Sequence, residues 1–175
     1  MTHKTTQMQG KVKDQNFTTT FSVDRTPQEV FDAINNVRGW WSEEIEGSTD
    51  KPGAEFKYHY QDLHRCKFKI TEFVPGKKVV WHVLDNYFSF VMDKSEWKGT
   101  DVVFEIARKG NQTEVRFTHV GLVPAYECYK VCSSAWGKYI TGSLRELIIT
   151  GKGQPNPIEE VVTKARQMSR DVQSE

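Results

Sequence analysis

The chain has 175 residues and carries 24 Lys and Arg against 23 Asp and Glu, a formal net charge of +1. This is the length of one domain, enough to bury a core without metal or disulfide staples. The balanced charge offers neither the basic surface that nucleic acid requires nor an acidic tail, so no nucleic-acid partner is expected.

Met1 to Gln15 is polar and has no signal-peptide apolar core, and it reads as a disordered or extended arm. No apolar run reaches membrane-spanning length. No membrane span and a cytoplasmic location are therefore expected. Phe17, Thr19, Phe21 and Val23 repeat every second residue, the period of a half-buried strand. Thr26-Pro27-Gln28-Glu29 is a capping box with proline at the first helical position. Val30, Phe31, Ile34 and Val37 continue it as a helical stripe, which Gly39 is expected to end or bend before Trp40 and Trp41.

Strands follow. Phe56, Tyr58 and Tyr60 alternate, and after a turn at Asp62-Leu63 so do Cys66, Phe68 and Ile70. Pro75-Gly76 turns the chain into Val79, Trp81 and Val83. Asp85-Asn86 predicts a turn or bulge before a strand over Tyr87 to Met92. Asp93 to Gly99 is a polar loop holding Trp97. Val102 to Ala107 and Thr113 to His119 form a hairpin across Lys109-Gly110-Asn111. Strands at this spacing, with no helix between them, predict an antiparallel meander.

Ala125 to Thr150 predicts one long helix. Cys128, Cys132, Trp136, Tyr139, Ile140, Ser143, Leu144 and Leu147 recur on one face at spacings of three and four. Gly151 is placed to cap it. Gly137 and Gly142 weaken the helix and suggest close packing against a bulky neighbour. The three cysteines are odd in number and lack a CxxC pair, as reduced thiols would be. Cys128 and Cys132 read as two small buried residues. Ile158 to Val172 is a second amphipathic pattern, suited to packing on the domain, to a homodimer contact, or to fraying. The domain layout is an arm over 1–15, a domain over 16–153 and an amphipathic helical tail over 154–175. A one-sided antiparallel sheet needs a cover, and the long helix is the element large enough. The expected fold class is therefore α+β, a curved antiparallel sheet wrapped around a long C-terminal helix, the helix-grip order.

Several pieces in this order resemble the SRPBCC (START-like, Bet v 1-like) superfamily, and most closely the domain family named after the activator of the Hsp90 ATPase. They are Thr26-Pro-Gln-Glu-Val-Phe31, Gly39-Trp-Trp41, Glu72-Phe-Val-Pro-Gly76 before Lys78-Val-Val-Trp81, and Val115-Arg-Phe-Thr-His-Val-Gly-Leu122. The helix from Trp136 through Ser143-Leu-Arg-Glu-Leu147 to Gly151 completes the set. The resemblance spans about Phe17 to Gly153. It implies a cavity between sheet and helix, used in the superfamily for lipids, polyketides and other hydrophobic small molecules. The co-chaperone that lends the family its name carries a further N-terminal domain. Only about fifteen residues precede the first strand here, so a Hsp90-type chaperone is not the favoured partner.

Aromatic residues carry the site prediction, since ligand pockets are mostly apolar with a few placed polar groups. With five Trp and ten Phe, the chain holds more rings than a small core hides easily. Trp40, Trp41, Phe56, Tyr58, Tyr60, Phe68, Trp81, Phe88 and Phe90 are the candidate ligand-binding wall. Trp136 and Tyr139 face it from the helix. If Val115, Phe117 and His119 share the inward face, His119 reaches the cavity mouth as its best polar residue. Histidine spacing shows no HxxxH or HExxH, so no metal is expected. A GxSxG nucleophile and a phosphate-binding glycine loop are both missing, which points to no cofactor and no catalytic residue. The expected function is binding of a hydrophobic small molecule. A cyclase or hydratase working through His119 is the alternative in the enzyme class. A Hsp90-type or stress-related helper is the alternative in the interaction class.

Overall fold

A computed structural model of the chain describes residues 15–158. Its strands are β1 (Phe17–Val23), β2 (Glu46–Gly47), β3 (Glu55–Tyr60), β4 (His64–Val74), β5 (Lys78–Phe88), β6 (Asp101–Lys109) and β7 (Gln112–Val120). They form one sheet in the order β1-β7-β6-β5-β4-β3-β2, with every neighbouring pair antiparallel. The chain thus meanders from β2 to β7, and β1 comes back to pair with β7. Period-two alternation sends one set of side chains to a single face. Phe56 and Tyr58 of β3, Phe68 and Ile70 of β4, Phe104 of β6 and Phe117 of β7 are all buried there. Cross-strand pairing sets Phe56 opposite Phe68 and Phe104 opposite Phe117, which fixes the register because a one-residue slip would turn these rings to water.

The cover is helical. The predicted capping box opens α1 (Pro27–Asn35): the Glu29 amide donates to Thr26 Oγ1 at 3.2 Å, and the Thr26 amide donates to Glu29 Oε2 at 2.8 Å. The bonds Glu29 receives hold its carboxyl below the usual carboxylate range. The break after α1 falls at Asn36, with φ −83° and ψ 65°, not at Gly39, which lies inside the short α2 (Val37–Trp40). Gly39 serves packing instead, since a Cβ there would meet the Asn36 side chain at 2.5 Å.

The long helix begins at Tyr129, four residues later than predicted. It runs as α3 (Tyr129–Gly137), a π-helical segment (Lys138–Leu144) and α4 (Arg145–Thr150) without a break. Gly151, at φ 82°, closes it by donating its amide to Leu147 O at 2.9 Å. A π turn adds a residue to the repeat and rotates everything beyond it. Hence Ile148, not the predicted Leu147, is the buried residue of the last turn. Gly137 and Gly142 do not mark close packing, because a Cβ at either would find open space within 4 Å. Gly137 borders the π segment and Gly142 lies within it.

β5 runs through Asp85 and Asn86 without turning. The irregularity is a bulge: Lys67 pairs with Asp85 and Phe68 with Val83, so Leu84 is the extra residue. The strand ends at Phe88, and Ser89 to Met92 belong to the loop that follows. Gln154–Ile158 hold no helix. Asn156 bridges to Ser42, and Glu43 donates its amide to Asn156 O at 3.0 Å. The rest of the expected tail, 159–175, and the arm up to residue 14 lie outside the described residues. Among the described residues no helix is long and apolar enough to cross a membrane.

Two acids staple the 89–100 loop to the start of the long helix. Buried Glu96 accepts the amide protons of Glu127 at 2.9 Å and Cys128 at 3.1 Å. In return Glu127 accepts those of Met92 at 3.1 Å and Asp93 at 3.2 Å. Helix N-terminal amides have no partner in their own helix and favour a carboxylate. Glu96→Ala is therefore expected to destabilise the fold by about 2–3 kcal/mol, as two charge-assisted bonds are lost and the buried Cys128 amide is left without a partner. Thermal unfolding followed by circular dichroism measures this; an unchanged midpoint would refute the staple.

Candidate functional site

Between sheet and helix lies a cavity of about 930 Å³. This is within the range of small-molecule sites. The helix supplies Cys132, Ala135, Trp136 and Tyr139 to its lining, and the sheet supplies Tyr58, His64 and Phe88. Trp41 and Trp97 enter from the loops at either side. The walls are stacked aromatic pairs. Trp41 lies flat on Tyr58, with centroids 4.0 Å apart, and Trp97 lies flat on Trp136 at 5.6 Å. Rings held face to face leave flat surfaces, which suit a flat apolar ligand.

The rim differs from the interior. Tyr60 (39% exposed), Leu63 (41%), Phe90 (45%) and Val131 (58%) are apolar and in water, and all four line the opening. Lys130 and Lys138 stand exposed beside them, one helical side of the same mouth. Among the described residues no Asp or Glu lines the cavity.

Polar groups inside are few. Asn156 Nδ2 donates to Tyr139 Oη at 2.8 Å and reaches Tyr58 Oη at 3.4 Å. Burial first, and then the neighbouring Tyr139 hydroxyl, push Tyr58 far above the ordinary phenol range, so it stays protonated. The Trp41 N–H leans on the Tyr58 hydroxyl and the Trp97 N–H on the Cys132 sulfur, both short of full hydrogen-bond geometry. All three cysteines are free and buried. The Cys128 thiol and burial raise Cys132 well above the ordinary thiol range, so it sits in the cavity wall as an inert thiol.

Residues 24–148 match the family model described as Activator of Hsp90 ATPase homolog 1-like protein. The chain belongs to that family. The solution structure of the Aha1 dimer from Colwellia psychrerythraea is similar at 25% identity and a TM-score of 0.64, covering 79% of this chain and 99% of that one. The crystal structure of CalU16 from Micromonospora echinospora is similar at 14% identity, with a TM-score of 0.54, 76% of this chain and 74% of that one. DynU16, from the dynemicin biosynthetic locus, is similar at 15% identity with a TM-score of 0.58, over 80% of this chain and 49% of that one. At such identities these last two share the fold. No curated protein matches the sequence.

In this Activator of Hsp90 ATPase homolog 1-like domain, the predicted aromatic residues divide into two layers. Trp41, Tyr58, Tyr60, Phe88, Phe90, Trp136 and Tyr139 line the cavity. Trp40, Phe56, Phe68 and Trp81 form the packed layer behind, each 1% exposed or less. Trp81 stacks on both Trp40 and Trp41 at about 6 Å, so the second layer supports the first.

His119 is also behind the wall, fully buried. Trp136 Nε1 donates to its Nδ1 at 3.1 Å, which places the ring proton on Nε2. Nε2 then donates to Thr100 Oγ1 at 2.8 Å, and that hydroxyl donates to the Trp97 carbonyl at 2.5 Å. Both nitrogens are therefore committed to holding Trp136 and Trp97 in place. Gly121, at φ 100°, leaves room for Thr100, since a Cβ there would come within 2.6 Å of Thr100 Cγ2.

Three lining residues had little sequence signal. Trp97 stands out only as an apolar residue in a polar loop. His64 sits beside the Asp62-Leu63 turn, and its partner Asn86 is far away in the chain. Asn156 follows the helix cap, in a segment that reads as tail.

Proposed function

We propose that the protein binds a hydrophobic small molecule, of lipid or aromatic type, inside the cavity. The single observation that carries this reading is the cavity of about 930 Å³ walled by stacked aromatic rings. Such a space, left dry or loosely wetted, forfeits the contacts that a close-packed interior would make. A ligand that fills it restores them and removes its own apolar surface from water. The exposed apolar rim and its lysines extend the same chemistry to the mouth, where an anionic or polar end would rest. His119 holds structural bonds on both nitrogens, which leaves a cyclase-type reaction without its expected proton carrier.

Trp41, Trp97 and Trp136 line the space, so an occupant within it quenches or shifts their fluorescence. Titration with naphthalene-type and fatty-acid probes is expected to give saturable, one-site quenching. Ala135 lines the cavity from the helix. Ala135→Trp is expected to fill the space and weaken every probe about tenfold or more, a change of about 1.4 kcal/mol per decade. Linear, non-saturating quenching that Ala135→Trp leaves unchanged would overturn the proposal. The Colwellia relative is described as a dimer. We propose a homodimer for this chain too, to be checked by light scattering of the same samples.

A further inference from the structure

Of the rings in the cavity wall, His64 is the one whose two nitrogens meet different surroundings. Its Nε2 lies 2.9 Å from Asn86 Oδ1. A carboxamide oxygen only accepts, so Nε2 carries the ring proton and donates it. Asn86 is buried and paired opposite Cys66 in the β4–β5 ladder, which holds its carboxamide beside the ring.

A neutral imidazole has one ring proton, so Nδ1 is left with a bare lone pair. Among the described residues no protein group donates to it. The Tyr58 and Tyr139 hydroxyls of the wall gather on Asn156, whose Nδ2 donates to both. The ring cannot turn away. Phe88 lies 4.4 Å from its centroid, Trp97 packs edge-on at 4.7 Å and Tyr58 edge-on at 5.2 Å. Burial holds the imidazole neutral by pulling its pKa down to about 4, so the lone pair is present at neutral pH.

We propose that His64 selects ligands bearing a hydrogen-bond donor, such as a phenol or enol hydroxyl, by accepting that donor on Nδ1. This rests on the small-molecule cavity proposed above and adds a chemical class to it. An apolar wall alone distinguishes ligands weakly. A fixed acceptor in an apolar wall disfavours a molecule that has the same shape and no donor, because that molecule shuts water away from the acceptor and leaves it unpaired.

The test uses 2-naphthol and its methyl ether, 2-methoxynaphthalene, which share the ring system while the ether oxygen only accepts. The naphthol is expected to bind about five- to tenfold more tightly to the wild-type protein. In His64→Phe that ratio is expected to fall to about one, with the ether's affinity little changed. A readout that needs no variant is the ¹⁵N resonance of His64 in the wild-type protein. Nδ1 is expected at the position of an unprotonated nitrogen, and to move on adding the naphthol but not the ether. Equal affinities in the wild-type protein, or a resonance placing the proton on Nδ1, overturn the assignment of His64. Failure of both probes to bind at all overturns the cavity reading, and this inference with it.

Discussion

Trp81→Ala is expected to destabilise the protein by about 3–5 kcal/mol, the range for emptying a large aromatic site in a core. Trp81 is fully buried, with the rings of Phe104 at 4.9 Å, Phe56 at 5.1 Å and Phe68 at 5.5 Å, beside its stacks on Trp40 and Trp41. These neighbours belong to β3, β4, β6 and the end of α2, so no single segment can move in to fill the void. Its indole N–H has no hydrogen-bond partner. The substitution therefore strands no acceptor, and the whole loss is packing and burial. Trp81→Phe, which keeps most of the ring volume, is expected to lose less than half as much. Urea denaturation followed by far-UV circular dichroism measures both. Small domains are stable by roughly 5–15 kcal/mol, so the alanine variant is expected to unfold at much lower urea. A loss under about 1 kcal/mol would show that the aromatic layer collapses around the gap.

Lowering the pH from about 7.5 to about 5 is expected to destabilise the fold by about 4 kcal/mol in total, through two histidines. Burial pulls His64 down to about 4, and burial together with repulsion from His64 pulls His119 down to about 3. In the unfolded chain both return to about 6.5. Between these values the unfolded state binds protons that the folded state refuses. Stability is thus full above the unfolded pKa and falls as the pH drops towards the folded one. Each histidine contributes about 1.4 kcal/mol per pH unit once well below 6.5. Urea midpoints taken across this range check the slope. His64→Phe is expected to remove about half of it. A flat profile from about pH 7 to 5 would contradict the burial of neutral imidazoles in the aromatic layer.

The two predictions touch the two layers of the same site, and the layers were unequally visible in the sequence. That aromatic residues would cluster between sheet and helix followed from alternation in the strands and the helical stripe on Cys132, Trp136 and Ile140. Which rings face the cavity and which stand behind it did not follow. Tyr58 and Phe56 share a strand face, yet Tyr58 lines the cavity while Phe56 packs beneath Trp81. Periodicity assigns a face, and depth along that face depends on where the helix crosses the sheet. The π segment shows the same limit at the helix end, where one additional residue in a turn exchanges Leu147 for Ile148.

His119 and His64 mark the division most sharply. Local order put His119 on the inward face of β7, and it is there, fully buried. Only the long-range bonds from Trp136 and to Thr100 make it a strut and not a mouth residue. His64 had no local signature, because its character comes from Asn86 across the β4–β5 ladder and from three rings brought in by other elements.

By itself, then, the sequence determined a curved antiparallel sheet gripping a long helix, through the period of its apolar residues, the Thr26 capping box and the Gly151 cap. Those are short-range effects, set by neighbours within a few positions. Tertiary structure alone decided that a cavity of about 930 Å³ remains between them, which rings wall it, and that His119 has both ring nitrogens bonded behind the wall while His64 stands in it. Those depend on how residues distant in the chain fill a shared volume, and volume is a property of the packed whole.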